Sequence, residues 1–425
     1  MSLKRYPFCL KILVVSFCMA ALCVCSRKKS DETDESKLDV IDDVALDGRT
    51  KLSKEEQEKL KKLGTLPYLA GSKPVPAQTG VTLYDENLSH NGLNLYTSGH
   101  GYEAFLIDMR GNLMHKWKYT SSQIEEVNSQ ERYWRRAFLF ENGDLLVIIT
   151  DIGLLKIDKD SNEIWFHKTR AHHDLDIAED GRIFALTRKY VSKPDIWKYS
   201  SIIEDFITIL DKDGNELDKI SIIECFKNSK FKHLLRYIRQ RDIFHTNTLE
   251  ILDGSLEKKH PAFKKGNILI CLHRTSTVAV LDLEQRKVVW TLSHMFFLPH
   301  HPTALPNGNI LIFDNCGFEY ESQMRSQLLE LDPLTQEIKW TYRHKDFFSK
   351  TAAGADRLPN GNTLITESNS GRALEITKEG TIVWQYLNPH VVKGDKGTYI
   401  ARIYTLRRYP TDFPKFLKNS PSKLP

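Results

Sequence analysis

The chain has 425 residues, of which 41% are hydrophobic, 10% aromatic and 27% charged; these globular proportions exclude disordered, collagen-like and polytopic membrane classes and allow a large core. Formal net charge is only +5, and Lys4, Arg5 and Lys11 supply much of it before residue 26, which argues against a nucleic-acid binder. Of seven cysteines, Cys9, Cys18, Cys23 and Cys25 lie at the N-terminus, while Cys225, Cys271 and Cys316 show no paired spacing, so neither a disulfide framework nor a zinc or thiol-redox pair is indicated.

Lys4, Arg5 and Lys11 precede an apolar run from Ile12 to Cys25. That run is shorter than the ~20 residues a spanning helix needs, so residues 1–25 read as an export signal. Acylation at Cys25 or Cys23, as in a lipoprotein, and a short uncleaved anchor before Ser26-Arg27-Lys28-Lys29 are the alternatives. Each places the body outside the cytoplasm, in the periplasm or cell envelope, with a membrane tether in two of the three cases. Residues 26–79 form a charged linker, with one short helix expected where Ser53 and Glu56 make a capping box before Gln57–Lys62.

Between residues 80 and 410 one pattern recurs: a turn residue and Gly, a β-rich run, a second run ending in Asp, a polar turn, then Trp. Its clearest copies run from Gly143 through Asp158 to Trp165, from Gly266 through Asp282 to Trp290, from Gly308 through Asp332 to Trp340, and from Gly361 through Thr377 to Trp384. Two weaker copies are Phe105–Asp108 to Trp117, which lacks the leading turn, and Gly181 through Asp211 to Ile220, which lacks the Trp. Six copies predict an all-β, six-bladed propeller, because small sheets bury both faces only by stacking radially. The tryptophans then fill inter-blade slots. Anchor glycines are 38, 85, 42 and 53 residues apart, so the second interval carries an insertion. It comprises Val191–Ile203 and a basic amphipathic helix predicted near Ile222–Arg239, together capping one face of the propeller. Residues 411–425 are a C-terminal tail.

Propeller sites sit where loops enter the innermost strands, and three such loops carry histidine: His172-His173 before Gly181, His245 with Asn247 before Gly266, and His300-His301 before Gly308. His173 and His300 each precede their glycine by 8 residues. Several imidazoles with an Asn and a nearby Arg suit a neutral nucleophile, a proton carrier and oxyanion donors, which fits sulfuryl or phosphoryl transfer. The competing reading is a metal site in which His joins Asp174 or Asp314. No Gly-rich phosphate loop supports a nucleotide donor, and no G-x-S-x-G elbow occurs.

These residues sit in segments that resemble the arylsulfotransferase family of exported bacterial six-bladed propellers. The segments are Tyr96–Gly101, Tyr133–Arg136, Gly153–Asp158, His172–Asp176, His245–Thr248, Pro302–Gly308 with Phe313–Asn315, and Leu358–Ser368 with Gly371-Arg372. The resemblance implies sulfate transfer from an aryl sulfate to a phenol, with no nucleotide, cofactor or metal. By resemblance, His300 is the transiently sulfated nucleophile, His173 and His245 are acid/base groups or oxyanion donors, and Asn247 is a sulfate ligand. His172, His273, Arg274 and His301 complete the expected substrate-binding set.

Two departures stand out. His301 follows His300 where the family often has Asp, leaving His301 a second candidate nucleophile. His273 rather than Arg274 aligns with the family's sulfate-binding Arg, and strand alternation would turn the Arg274 side chain to the opposite face. A non-catalytic propeller binding an anionic ligand or a protein partner at the same mouth is the alternative function. A quinoprotein is disfavoured by six repeats rather than eight and by the lack of a Cys-Cys pair.

Overall fold

A computed structural model describes residues 73–121, 124, 132–197, 202–237, 241–320, 323–394 and 397–419. The export signal, most of the linker and the Ser53 capping box lie outside these residues. The described chain forms the expected six-bladed propeller, each blade a four-stranded antiparallel sheet. Blades two to six run in chain order from their innermost strands, which are Trp134–Leu139, Ala171–Ile177, Thr246–Ile251, His300–Ala304 and Gly354–Arg357.

Blade one is assembled from both ends. Its three outer strands are Leu93–Ser98, Glu103–Ile107 and Leu113–Lys118, whereas the innermost, Ile403–Tyr409, comes from the C-terminus and pairs with Leu93–Ser98. The first repeat lacks a leading turn because its innermost strand is more than 280 residues downstream. At the other end, Gly80–Tyr84 adds a fifth strand to the outer edge of blade six. Arg408 of the closing strand forms a fully buried ion pair with Glu375 of blade six, so closure is charged as well as hydrogen-bonded.

The repeat's residues each have a local cause. Gly143, Gly181, Gly266, Gly308 and Gly361 turn from the innermost strand to the next with φ between 84° and 94°, a region that penalises any Cβ. Asp108, Asp158 and Asp211 each accept two backbone N–H groups and an Asn side chain in the following turn. In Asn307-Gly308-Asn309 and Asn360-Gly361-Asn362, Asn309 and Asn362 donate to the buried carboxylates of Glu330 and Glu375. Four tryptophans donate their indole N–H to the neighbouring blade: Trp117 to Gly143 O, Trp165 to Lys212 O, Trp340 to Lys378 O and Trp384 to Met109 O, at 2.7–3.2 Å. The last of these crosses from blade six to blade one. Their role is inter-blade packing, as expected.

The insertion differs in detail. The expected helix over Ile222–Arg239 is described as far as Tyr237, and there a six-residue α-helix, α1 (Ile222–Lys227), is followed by a 3-10 turn at Lys232–Tyr237 in place of one continuous helix. Ser221 caps α1 at its start, Asn228 ends it, and the Ser229 hydroxyl donates to Phe226 O and accepts from Phe231 N, competing with helical continuation. Ile222, Ile223, Cys225 and Phe226 are buried in a core cluster shared by blades three and four. Blade three's middle strands, Ile183–Val191 and Ile202–Leu210, are nine residues each and extend toward the end where the innermost strands begin. The thiols of Cys225, Cys271 and Cys316 are free and buried. Past the closing strand, Phe416 packs edge-on to Trp117 at 6.0 Å between ring centroids.

Trp384→Ala should destabilise the ring by about 3–5 kcal/mol, since it removes a fully buried indole and its closing hydrogen bond. Trp165→Ala, at a more exposed ring, should cost less. Urea unfolding of the two variants checks the order.

Candidate functional site

Antiparallel blades put the anchor glycines at one end of the channel and the entries to the innermost strands at the other. At that entry end the strand pairing slips: bulges lie between Ala185 and Thr187, Thr246 and Thr248, and His300 and Thr303. His173, His245 and His301 sit beside them with φ of 55°, 49° and 48°. A left-handed conformation costs a non-glycine residue about 1–2 kcal/mol, and such strain concentrates at functional sites. Bulges re-aim side chains, and here they aim imidazoles.

The result is a continuous row of rings. His172 to His173, His173 to His245, His245 to His273, and His273 to His300 have centroids 5.1, 4.7, 5.5 and 5.0 Å apart. Blades three, four and five supply all five rings. Equivalent strand positions are His173, Asn247 and His300, counted back from Asp176, Glu250 and Thr303, which pair with residues three beyond each anchor glycine. His245 therefore joins the row from two residues before the register position that His173 and His300 occupy in their blades, and in blade four that position lies 19 residues before Gly266 rather than 8.

Each ring has a distinct setting. His300 Nδ1 lies 2.7 Å from Asn315 Oδ1, and Asn315 Nδ2 donates to Ser349 O at 2.7 Å. Burial pushes His300 down to about 3, against the Asn315 bond and the Leu298 carbonyl, which favour protonation. His245 keeps 26% of its side chain exposed, and its Nδ1 lies 2.5 Å from Asp242 Oδ2. Burial raises the Asp242 carboxyl, but His245, Arg188 and Arg274 outweigh it and hold Asp242 well below the usual range. His172 and His173 meet through their Nδ1 atoms at 2.9 Å, one proton serving both. Burial, reinforced for His172 by Arg188, brings His172 down to about 3, and burial holds His173 and His273 well below the normal imidazole value.

The remaining expected residues divide. His273 and Arg274 do not alternate on a strand, because that strand ends at Leu272; both occupy the turn that follows. His273 joins the row while Arg274 reaches Asp242 at 3.8 Å, so both serve the same side of the mouth. Asn247 Nδ2 donates to Pro299 O, bracing the residue before His300. His301 faces away from the row: Nε2 is 3.5 Å from Arg136 Nη2 and Nδ1 is near Ala355. It lines a channel cavity of about 340 Å³ with Arg136, Asp174, Glu250, Asp356 and Arg407. This cavity does not contain His300, and burial pushes its Glu250 up to about 8 against the Ala304 N–H that it accepts.

Sequence reasoning missed four contributors. Arg188 and Asp205 come from blade three's long strands: Arg188 binds Asp151 through two bonds of 2.8 and 2.5 Å, and Asp205 accepts Thr246 N at 2.7 Å. Asp242 and Asn315 are the other two. The 85-residue anchor interval was the signal available for the first three. Asp314 accepts from Phe297 N and Gln327 and Asp174 pairs with Arg136, so the carboxylates of the metal reading are engaged elsewhere. No group of three His, Cys, Asp or Glu side chains among the described residues is arranged to hold a metal ion.

A family model described as arylsulfotransferase (ASST) matches residues 136–389, more than half of the chain. No curated protein matches. Among solved structures, the chain is similar to a protein of unknown function from Bacteroides caccae, at 15% identity and a TM-score of 0.47 over 70% of this chain and 94% of that one. It is also similar to a streptogramin B lyase, at 11% identity and a TM-score of 0.44 over 80% and 96%. The propeller domain of Doa1 follows, at 12% identity and a TM-score of 0.42 over 78% and 96%. Similarities of this size carry no functional weight.

Burial of His300 has a pH signature. Its value is about 3 in the folded protein against 6.5 when unperturbed, so below pH 6.5 the unfolded chain takes up a proton that the folded protein refuses, and stability falls as pH falls. Asp205, raised to about 6 by burial and Asp242, works in the opposite sense, so the comparison must isolate one group. Between pH 6 and 4 the stability of His300→Asn should fall less steeply than that of the unsubstituted chain, by about 1.4 kcal/mol per pH unit. Urea unfolding at both pH values measures the difference.

Proposed function

The chain belongs to the arylsulfotransferase family, and from that premise we propose that it moves a sulfuryl group from an aryl sulfate to a phenolic acceptor through a sulfated histidine. The observation that carries this reading is the row of imidazoles ending at His300, with Asp242 behind His245. Burial keeps His300 neutral, which is the form a nitrogen nucleophile requires.

In the first half-reaction a lone pair of His300 attacks sulfur and the aryl S–O bond breaks. The departing oxygen takes the bonding pair. His245, held by Asp242 through Nδ1, supplies a proton from Nε2 to that oxygen. In the second half-reaction the same nitrogen takes a proton from the incoming phenol, whose oxygen attacks sulfur as the N–S bond breaks. His173, His273 and Asn247 donate to the sulfuryl oxygens, and Arg274 offsets their charge. His172 backs His173 through the shared Nδ1 proton. His301 lies on the channel side and is not the nucleophile in this scheme. The protein is proposed to act outside the cytoplasm, on the support of the N-terminal charge pattern and the apolar run Ile12–Cys25.

The full chain should release phenol from a chromogenic aryl sulfate only when a phenolic acceptor is present. His300→Ala should lower turnover by at least about 10³-fold, whereas His301→Ala should lower it by less than about tenfold. Undiminished turnover in His300→Ala would overturn the assignment, and saturable sulfate-ester binding without turnover in the unsubstituted chain would replace it with the binding function.

A further inference from the structure

His300 is not held by a carboxylate. Its Nδ1 meets an amide oxygen, and that amide's identity is settled by its other side: Asn315 Nδ2 lies 2.7 Å from a backbone carbonyl, Ser349 O, which can only accept. The oxygen must therefore face His300, and an amide oxygen also only accepts. Asn315 is fully buried and the ladder continues behind it. Ser326 Oγ donates to Asn315 O, Ser349 N donates to Ser326 Oγ, and Ser349 Oγ donates to Asn369 Oδ1. Blades five and six thus clamp the amide in one orientation.

We propose that Asn315 is a positioning residue that holds His300 in its Nδ1–H tautomer, so that Nε2 carries the lone pair that attacks sulfur, and that keeps this proton on the ring while the ring is sulfated. The proposal rests on the sulfohistidine reading above and adds to it the reason the group leaves again. When Nε2 bonds sulfur and the aryl oxygen departs with its electron pair, the ring carries sulfo at Nε2 and hydrogen at Nδ1, a cationic imidazolium. Neutral Asn315 has no basic site strong enough to remove that hydrogen. On attack by phenol the N–S bond then breaks toward neutral imidazole, a good leaving group. A carboxylate at the same place would take the Nδ1 proton and leave a neutral sulfoimidazole, whose departure would require imidazolate.

The first test uses the full, unsubstituted chain with ¹⁵N-labelled histidine. Ring ¹⁵N shifts, with His300 assigned by loss of its signals in His300→Gln, should show hydrogen on Nδ1 and a bare Nε2. Hydrogen on Nε2 would overturn the proposal without touching the sulfotransferase reading. Two variants extend the test. Asn315→Leu removes the acceptor and should lower kcat about 10–100-fold with KM within about twofold. Asn315→Asp restores an acceptor and should leave the first half-reaction intact while slowing the second, so that acid-quenched peptide containing His300 carries about tenfold more sulfo group at steady state than in the unsubstituted chain. Equal sulfo occupancy in the folded Asp variant would overturn the role assigned to the neutral amide. If His300 itself proves dispensable, the catalytic reading fails; the tautomer measurement, made without turnover, still decides what Asn315 does to the ring. Should either variant fail to fold, that measurement on the unsubstituted chain decides the proposal.

Discussion

Ring closure is the constraint from which the rest of the molecule follows. A four-stranded sheet with two apolar faces has nowhere to bury both except between neighbours, so a row of six is stable only when the sixth meets the first. The chain makes this joint by sending its last strand, Ile403–Tyr409, into the innermost place of blade one and its first, Gly80–Tyr84, onto the outer edge of blade six. Three further contacts secure the same seam: the Arg408–Glu375 ion pair, the Trp384 indole bond to Met109, and Asn388 Nδ2 donating to Ser98 Oγ. Removing one partner of the buried ion pair would strand the other charge in the core, which makes the pair a strong determinant of how the ends meet.

Closure also decides where chemistry can occur. Once the strands radiate from one axis, every loop that enters an innermost strand points at a common mouth, and small departures from regular pairing bring side chains of different blades together. The bulges in blades three, four and five tilt His173, His245 and the His300 segment toward one another at a cost in backbone strain. The regular pairing on either side of each bulge absorbs that cost. Blade three contributes twice, because its long strands carry Arg188 and Asp205 up to the level of the histidines.

The electrostatics of the mouth follow from the same packing. Imidazoles this close together cannot all be charged, and burial keeps most of the row neutral. His245, a quarter exposed, has its Nδ1 against Asp242, a carboxylate itself held ionised by His245, Arg188 and Arg274. Neutral His300 at one end and the His245–Asp242 pair beside it make the row asymmetric, although the repeat that builds it is nearly symmetric elsewhere. His301 adjoins His300 in sequence, yet the bulge and its positive φ turn it to the channel cavity, among Arg136, Asp174 and Glu250.

The sequence by itself determined the blade count, the inter-blade role of the tryptophans, the location of the insertion and the entry loops that carry His172, His173, His245 and His300. Those features are local: a glycine that must turn with positive φ, an Asp that caps its own turn and an indole repeated at one strand position leave marks within a few residues of where they act. The split of the expected 222–239 helix into two short pieces was legible only in part, since Asn228 and Ser229 stop a helix only when local hydrogen bonds compete successfully with tertiary packing. Which of His300 and His301 faces the row, how His273 and Arg274 share the mouth, and the partners Asp242, Asp205, Arg188 and Asn315 were decided only by the tertiary structure. Asn315 and Ser349 are 34 residues apart, and Asp205 and Thr246 are 41 apart. Such pairs leave no periodic trace in the chain, because radial closure of the sheets, rather than any local preference, brings them within hydrogen-bonding distance.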